Sequence, residues 1–344
     1  MFWWTDRYQP VEVPNYDQLG NLSYYAIVAF QKIGVFAVPA FLFTSGFFVA
    51  YAARGKSAFT WKMVGVRLKN LLIPYLVWSV VVLVGDSLQG TTYAPLEYLR
   101  LLLTGGAVPA YYYVILLCQM YILSPFLAPL AKKHGRLLLS VTGLILLGVI
   151  GLFYLKLYSE LTGHQLPLMD NVIQFIPSRV FVRFVFFFTL GIVVGFHLKQ
   201  FKQWLHRYRW ALLATVLVSA PLAIMETEWI FRATGEDWRG GVFTITGATY
   251  AIAFILAFMA FEQVPIPFSK GLIELGKSSY GIYLLHSSAL EFSARAMQRF
   301  IPWLMAYQVV FLWVLVALAV GTPFLLMKTV ARSPLRRYYR YLFG

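Results

Sequence analysis

The stretch Gly34–Ala53, GVFAVPAFLFTSGFFVAYAA, runs twenty residues without one charged side chain. A helix of that length is about 30 Å long, the thickness of a bilayer's hydrocarbon core. Ala110–Leu130, Leu137–Leu155, Gly241–Phe261 and Trp303–Met327 repeat the pattern, and Leu71–Gly90 adds a span with Asp86 near its end. Three spans are weaker: Val180–Leu198 carries Arg183, Trp210–Met225 is short, and Gly271–Leu290 holds Glu274 and Lys277. The pattern predicts an all-α, polytopic transmembrane helical bundle of about nine spans. With no internal repeat, low-complexity tract or long polar insertion, residues 1–344 read as one integral domain.

Composition agrees. Hydrophobic residues make up 60% of the 344-residue chain and charged residues only 12%, with a mean hydropathy of +0.68. Globular chains carry about 25% charged residues, so too few are present here to build a surface in water. Soluble enzymes, coiled coils and disordered proteins are excluded. Residues 1–20 lack the basic start and apolar core of a cleavable signal. The lone Cys118 lies in an apolar run, which excludes a disulfide framework or a cysteine metal site. HExxH, GxSxG and Walker patterns are absent, so no resident metal or bound cofactor is expected.

The net charge of +15 is patterned by side. Segments 54–70, 131–136, 199–209, 262–270 and 328–344 hold eighteen of the 29 Lys and Arg, while twelve of the 14 acids fall on the other side. Positive residues mark the cytoplasmic face, so the chain reads as multi-pass in the cell membrane with its N-terminus outside and C-terminus inside. This distribution points to anionic headgroups or phosphate-bearing substrates rather than nucleic acid.

Several residues invite chemistry. Arg54, Lys56, Lys62, Arg67 and Lys69 follow the first span with no acid among them. They read equally as an orientation signal or as a dock for the phosphates of a nucleotide-like carrier. Arg179 and Arg183 share a helix face at the rise of the fifth span. Arg183 sits a turn deeper, where a charge costs roughly 2–3 kcal/mol and needs a partner or a wet cavity. Of five histidines, His134 and His206 lie in short basic segments, His197 ends a span, and His164 lies in an outer loop. His286, in GKSSYGIYLLHSSAL, sits in mid-helix, as either a hydrogen-bonded core histidine or a general base. Tyr111, Tyr112 and Tyr113 open the third span, as an interfacial belt or a stacking platform for a sugar or lipid head. Pro39 and Ser45-Gly46 interrupt the first span and would ease helix packing.

These stretches resemble a family. FAVPAFLFTSGFFVAY is similar to the second-helix signature of the acyltransferase type 3 membrane family. VRLKNLLIPYLVWS resembles the pattern that follows it, carried by Arg67, Lys69, Pro74, Tyr75 and Trp78. YYYVILLCQMYILSP, FVFFFTLGIVVGFHL and LGKSSYGIYLLHSSAL resemble three further stretches, in order, from about Val35 to the tail.

The resemblance implies ten spans and transfer of an acyl group, often acetyl, from cytoplasmic acyl-CoA to a carbohydrate or envelope acceptor. Acyl-CoA would be a co-substrate, and membrane lipids and the acceptor the remaining partners. Under it the five basic residues from Arg54 to Lys69 would bind CoA, and Arg183 with Tyr111–Tyr113 would line the acceptor side. The family's first helix carries an Arg and, ten residues on, a His; nothing before Gly34 supplies it. The expectation is that this helix lies upstream of Met1 or has been lost together with the activity, which leaves His286 as the remaining catalytic candidate. The rival expectations are a glycolipid or polysaccharide transporter and a catalytically inactive relative.

Overall fold

The computed structural model describes residues 22–54, 60–164, 181–235 and 240–344, and among them it is helical with no strand. Among the described residues five helical stretches are long and apolar enough to cross a membrane: Tyr25–Ala53, Trp61–Leu88, Pro109–Thr162, Leu198–Thr234 and Gln308–Arg332; Val185–Phe196 and Ile245–Ala260 are shorter apolar helices. The chain is a helical membrane protein.

The first span differs from its predicted bounds. Helix α1 (Leu22–Ile33) precedes Gly34 and runs through a 3-10 turn, Gly34–Phe36, into α2 (Ala37–Ala53). Lys32 marks a boundary in a hydropathy window, yet it is only 5% exposed and lies in the field of Glu226. Pro39 sits in the first turn of α2, where its missing N–H costs no helical bond, so the helix is unbroken.

The basic segments expected as loops are largely helix ends. α3 (Trp61–Leu88) already contains Lys62, Arg67 and Lys69. α5 (Tyr112–Thr162) passes through 131–136 with a single non-helical residue, His134, at φ −131° and ψ 44°. α7 (Leu198–Thr234) covers all of 199–209. Lys and Arg are good helix formers, so a helix leaving the hydrocarbon need not end where its charges begin. Between α5 and α7 lies α6 (Val185–Phe196), and α8 (Ile245–Ala260) follows α7. The span expected over Gly271–Leu290 is two helices, α9 (Ser269–Lys277) and α10 (Ser279–Phe300), divided at Ser278. α4 (Pro95–Thr104), α11 (Gln308–Arg332) and α12 (Tyr339–Phe343) complete the set.

The chain divides into two compact units. One comprises residues 29–65 and 116–265. Its centre is the crossing of α2 and α6, built on Gly46, Ala50, Gly191 and Gly195. A methyl placed on Gly191 would stand 1.9 Å from the Phe43 carbonyl oxygen, and one on Gly46 2.1 Å from that of Phe188. Small residues four apart let two membrane helices touch backbone to backbone. Gly46 therefore eases packing, as its sequence context implied. Phe187, Phe188 and Ile192 are fully buried beside this seam. In the same unit Glu226 of α7 accepts hydrogen bonds from the hydroxyls of Tyr154 and Thr246, tying together α5, α7 and α8. The Tyr154 oxygen also accepts from the Ile245 N–H at the start of α8, at 3.1 Å.

The other unit comprises residues 66–115, 266–344 and the chain before Ala29. α10 and α11 pack through Ala294, Met297, Met305, Phe311 and Leu315. A second cluster, Leu285, Met327, Val330 and Phe343, brings the tail helix α12 onto α10 and α11. The Trp78 indole of α3 donates to the Leu342 carbonyl at 2.8 Å and fixes α12 against α3.

Candidate functional site

In the second of these units, α10 presents Tyr280, Tyr283 and His286 at intervals of three residues, hence on one face. The Tyr280 and Tyr283 rings stack at 6.2 Å between centroids, and Tyr283 lies 5.7 Å from the imidazole of His286. Each tyrosine is anchored. Tyr280 donates to the Leu71 carbonyl of α3 at 2.6 Å, one turn before Pro74, and Tyr283 donates to the Ala110 carbonyl. Pro74 has no N–H to offer the turn below it, which loosens the local helical ladder.

His286 contacts the backbone of its own helix: its Nδ1 lies 2.6 Å from the Tyr283 carbonyl oxygen. A carbonyl can only accept, so Nδ1 carries the proton and Nε2 is left with its lone pair. The neighbouring Ser287 hydroxyl is 3.3 Å from that Nε2 and donates to it. This tautomer is the one a general base requires.

Tyr111, Tyr112 and Tyr113 join this cluster. Tyr111 is fully buried rather than set in an interfacial belt, and its hydroxyl donates to the Leu284 carbonyl at 2.7 Å. Its ring meets Tyr75 at 5.6 Å and Tyr283 at 6.4 Å, while Tyr113 meets Tyr283 at 5.6 Å. Tyr112 is half-buried. Tyr75, 1% exposed, donates to the Leu102 carbonyl at 2.5 Å. The structure thus groups the tyrosine run with His286. Burial and occupied hydroxyls give Tyr111 a supporting place rather than an open stacking face.

The basic residues have different local surroundings. Arg54 donates to the Gly195 carbonyl at 2.7 Å, capping the end of α6, where a cation suits the helix dipole. Lys56 lies outside the described residues. Lys62 is exposed in the first turn of α3, and Arg67 is half-buried further along it. Lys69 lines a cavity of about 240 Å³ with Val66, Asn70, Ile73, Arg340 and Tyr341. Arg340 donates to the Asn70 side-chain oxygen at 2.8 Å, so α12 delivers a second cation beside Lys69. The sequence reading missed Arg340, which it counted only as part of a basic tail. It also missed Tyr280 and Tyr283, although their spacing from His286 was visible. From Asn70 the path continues through Leu71 and Tyr280 to Tyr283 and His286. His286 stands about 10 Å along α10 from its first residue.

Arg183 belongs to the other unit, in a 3-10 turn, Phe181–Arg183. It is half-buried, with its guanidinium 5.6 Å from the Phe243 ring centroid. Cation–π contact of this kind lets a desolvated arginine persist near lipid. Arg179 lies outside the described residues. Replacing Arg183 by leucine is expected to leave insertion intact and to lower transfer activity about 10- to 100-fold, the scale of a lost charge-assisted contact. Membrane abundance and turnover measured together check this; higher stability at full activity would make Arg183 a tolerated interface residue. Among the remaining histidines, His197 donates from Nε2 to the Ala131 carbonyl at 3.1 Å, and His164 is exposed. Among the described residues no group of three His, Cys, Asp or Glu is placed to hold a metal.

Residues 10–327 match the acyltransferase type 3 family, described as an acyltransferase domain. The chain belongs to that family. As a member it is a membrane acyltransferase, and the resemblance carried by its five motifs holds across nearly its whole length. A Staphylococcus aureus protein, named provisionally as a poly-beta-1,6-N-acetyl-D-glucosamine export protein, is 23% identical over 270 residues, 76% of this chain and 71% of its own. A Bacillus subtilis protein, named provisionally as the membrane-bound acyltransferase YfiQ, is 22% identical over 279 residues, covering 79% and 72% of the two chains. No solved structure matches.

Proposed function

We propose that this acyltransferase moves an acetyl or similar acyl group from cytoplasmic acyl-CoA to a hydroxyl of an extracytoplasmic carbohydrate or envelope acceptor. The observation that carries this reading is the relay of contacts within one unit that links the Lys69–Arg340 cavity, through Leu71, Tyr280 and Tyr283, to His286. The two cations would hold phosphates of the donor, leaving the pantetheine arm to run inward along α10. Nε2 of His286 takes the proton of the acceptor hydroxyl, and the oxygen attacks the thioester carbonyl. The C–O bond forms as the C–S bond breaks, and the leaving thiolate recovers the proton from the imidazolium. The tyrosines around His286 exclude water and fix the ring. The Tyr111–Tyr113 run, in the same unit as His286, is proposed to shape the acceptor side, and the carbohydrate acceptor is supported by the saccharide in the staphylococcal relative's name.

Purified protein in liposomes, supplied with labelled acetyl-CoA and an envelope glycan fraction, tests the reaction. Label in the glycan, or in released acetate when no glycan is present, is the expected result. The staphylococcal name also favours a second reading, export of a glycan or glycolipid; glycan movement across the liposome without label transfer would establish it instead. A Lys69→Gln, Arg340→Gln double variant should bind acetyl-CoA about tenfold more weakly or worse, with insertion unchanged because many other basic residues still orient the chain. Equal affinity measured by equilibrium binding would assign both residues to topology alone.

A further inference from the structure

A cavity of about 780 Å³ lies in the unit of residues 29–65 and 116–265, lined by none of the residues assigned above. It forms where α5 bends. The break at His134 turns the start of the helix's second half, Gly135–Leu137, toward α6 and α7, and all three residues line the cavity. A methyl on Gly135 would come 3.1 Å from Val193 and 3.5 Å from His197 Nε2, so the residue is small where α5 approaches α6. His197 donates to the Ala131 carbonyl exposed by the bend and holds the opening in shape.

The lining has two characters. The polar lining is Lys133, His134, Arg136, His197 and Gln200, with no carboxylate among the lining residues. The acid Glu262 is engaged by Lys202 at 2.7 Å. The apolar lining includes Leu139, Val193, Leu256 and Phe201. That apolar wall continues outward over Leu137 and Trp204, which are 64% and 45% exposed. Cations together with apolar residues, two of them exposed, in one cavity match a molecule whose anionic head is joined to hydrocarbon. A soluble nucleotide would leave the apolar wall unused. Trp204 fits the same boundary, since tryptophan favours the headgroup level.

We propose that this cavity is a binding site for the phosphate headgroup of an anionic lipid, with Lys133 and Arg136 on the phosphate and the acyl chains against Leu137, Leu139 and Trp204. The helix start at Gly135 adds backbone N–H groups of the right polarity. Basic pockets between membrane helices take phospholipid heads in this manner.

Retention of phosphatidylglycerol against phosphatidylcholine, read by native mass spectrometry of the full chain from mixed nanodiscs, tests the site. The unsubstituted protein should keep phosphatidylglycerol, and Lys133→Gln with Arg136→Gln should weaken retention about thirtyfold. The charge-keeping exchange Lys133→Arg with Arg136→Lys should retain it, which separates lost charge from lost fold. Should the double variant fold poorly, Arg136→Gln alone is expected to show a smaller loss in the same direction. Unchanged phosphatidylglycerol retention in the Gln variants overturns the proposal. So does loss of coenzyme A binding, used as a soluble phosphate probe, with lipid retention unaffected. Either outcome is read without acyl transfer, so the site stands or falls independently of the proposed reaction.

Discussion

Replacing Gly191 by leucine should prevent the unit of residues 29–65 and 116–265 from folding, with little full-length protein surviving extraction from the membrane. A Cβ at Gly191 would lie 1.9 Å from the Phe43 carbonyl oxygen and 2.9 Å from the Phe47 amide nitrogen. Both are main-chain atoms of α2, so no rotamer change relieves the clash; the helices must separate. Separation also removes the contacts at Gly46 and Gly195, the latter placing a Cβ 2.6 Å from that of Ala50. Overpacking against side chains typically costs 1–3 kcal/mol, and a clash with backbone at three neighbouring points should cost more than about 3 kcal/mol. Gly191→Ala should act in the same direction, since even a methyl does not fit. The controls are Gly148 and Gly151 of α5, which have nothing within 4 Å of an added Cβ. Alanine there should be neutral or stabilise by up to about 1 kcal/mol through helix propensity. Thermal unfolding in detergent across the four variants gives the comparison. Equal behaviour at Gly191 and Gly148 would mean that α2 and α6 do not cross as described.

How far the sequence could be read follows the range of the forces involved. Membrane helices announce themselves through local hydropathy, so each predicted span has a helix at its place. The misplaced boundaries all involve charge or backbone events settled by distant residues. Lys32 looks like the edge of a span until Glu226, far along the chain, sits within its field. His134 looks like part of a loop because a bend inside a continuous helix leaves no compositional trace. Ser278 divides one expected span into two without any proline or glycine run to signal it.

The candidate site shows the same division. The spacing of Tyr280, Tyr283 and His286 is local and was open to reading. Arg340 meets Asn70 across 270 residues of sequence, and no pattern near either predicts the pair. Arg54 shows the reverse case. Its position beside other cations suggested an anion site, and its bond to the Gly195 carbonyl adds a capping role that no local pattern signals. Charge clustering alone could not separate these uses, because orientation, capping and ligand binding all favour Lys and Arg at the same depth.

His286→Asn is expected to lower acyl transfer by about 10²- to 10⁴-fold while leaving abundance and thermal stability nearly unchanged. The asparagine amide can reproduce the donor that His286 Nδ1 supplies to the Tyr283 carbonyl, so the α10 backbone keeps its partner. It has no counterpart of Nε2, the atom that receives the Ser287 hydroxyl and is proposed to take the acceptor's proton. His286→Ala removes both functions and opens a void beside Tyr283, so it should add a stability loss to the same fall in rate. Comparing the two variants therefore separates chemistry from packing, as neither does alone. Acetyl-CoA affinity should stay within about twofold in His286→Asn, because the donor's phosphates are placed on Lys69 and Arg340, at the Leu71 end of the relay, where Tyr280 is about 9 Å along α10 from His286. Retained turnover in the asparagine variant with loss only in the alanine one would make His286 a packing residue. The proton acceptor of the reaction would then have to be sought elsewhere in the bundle.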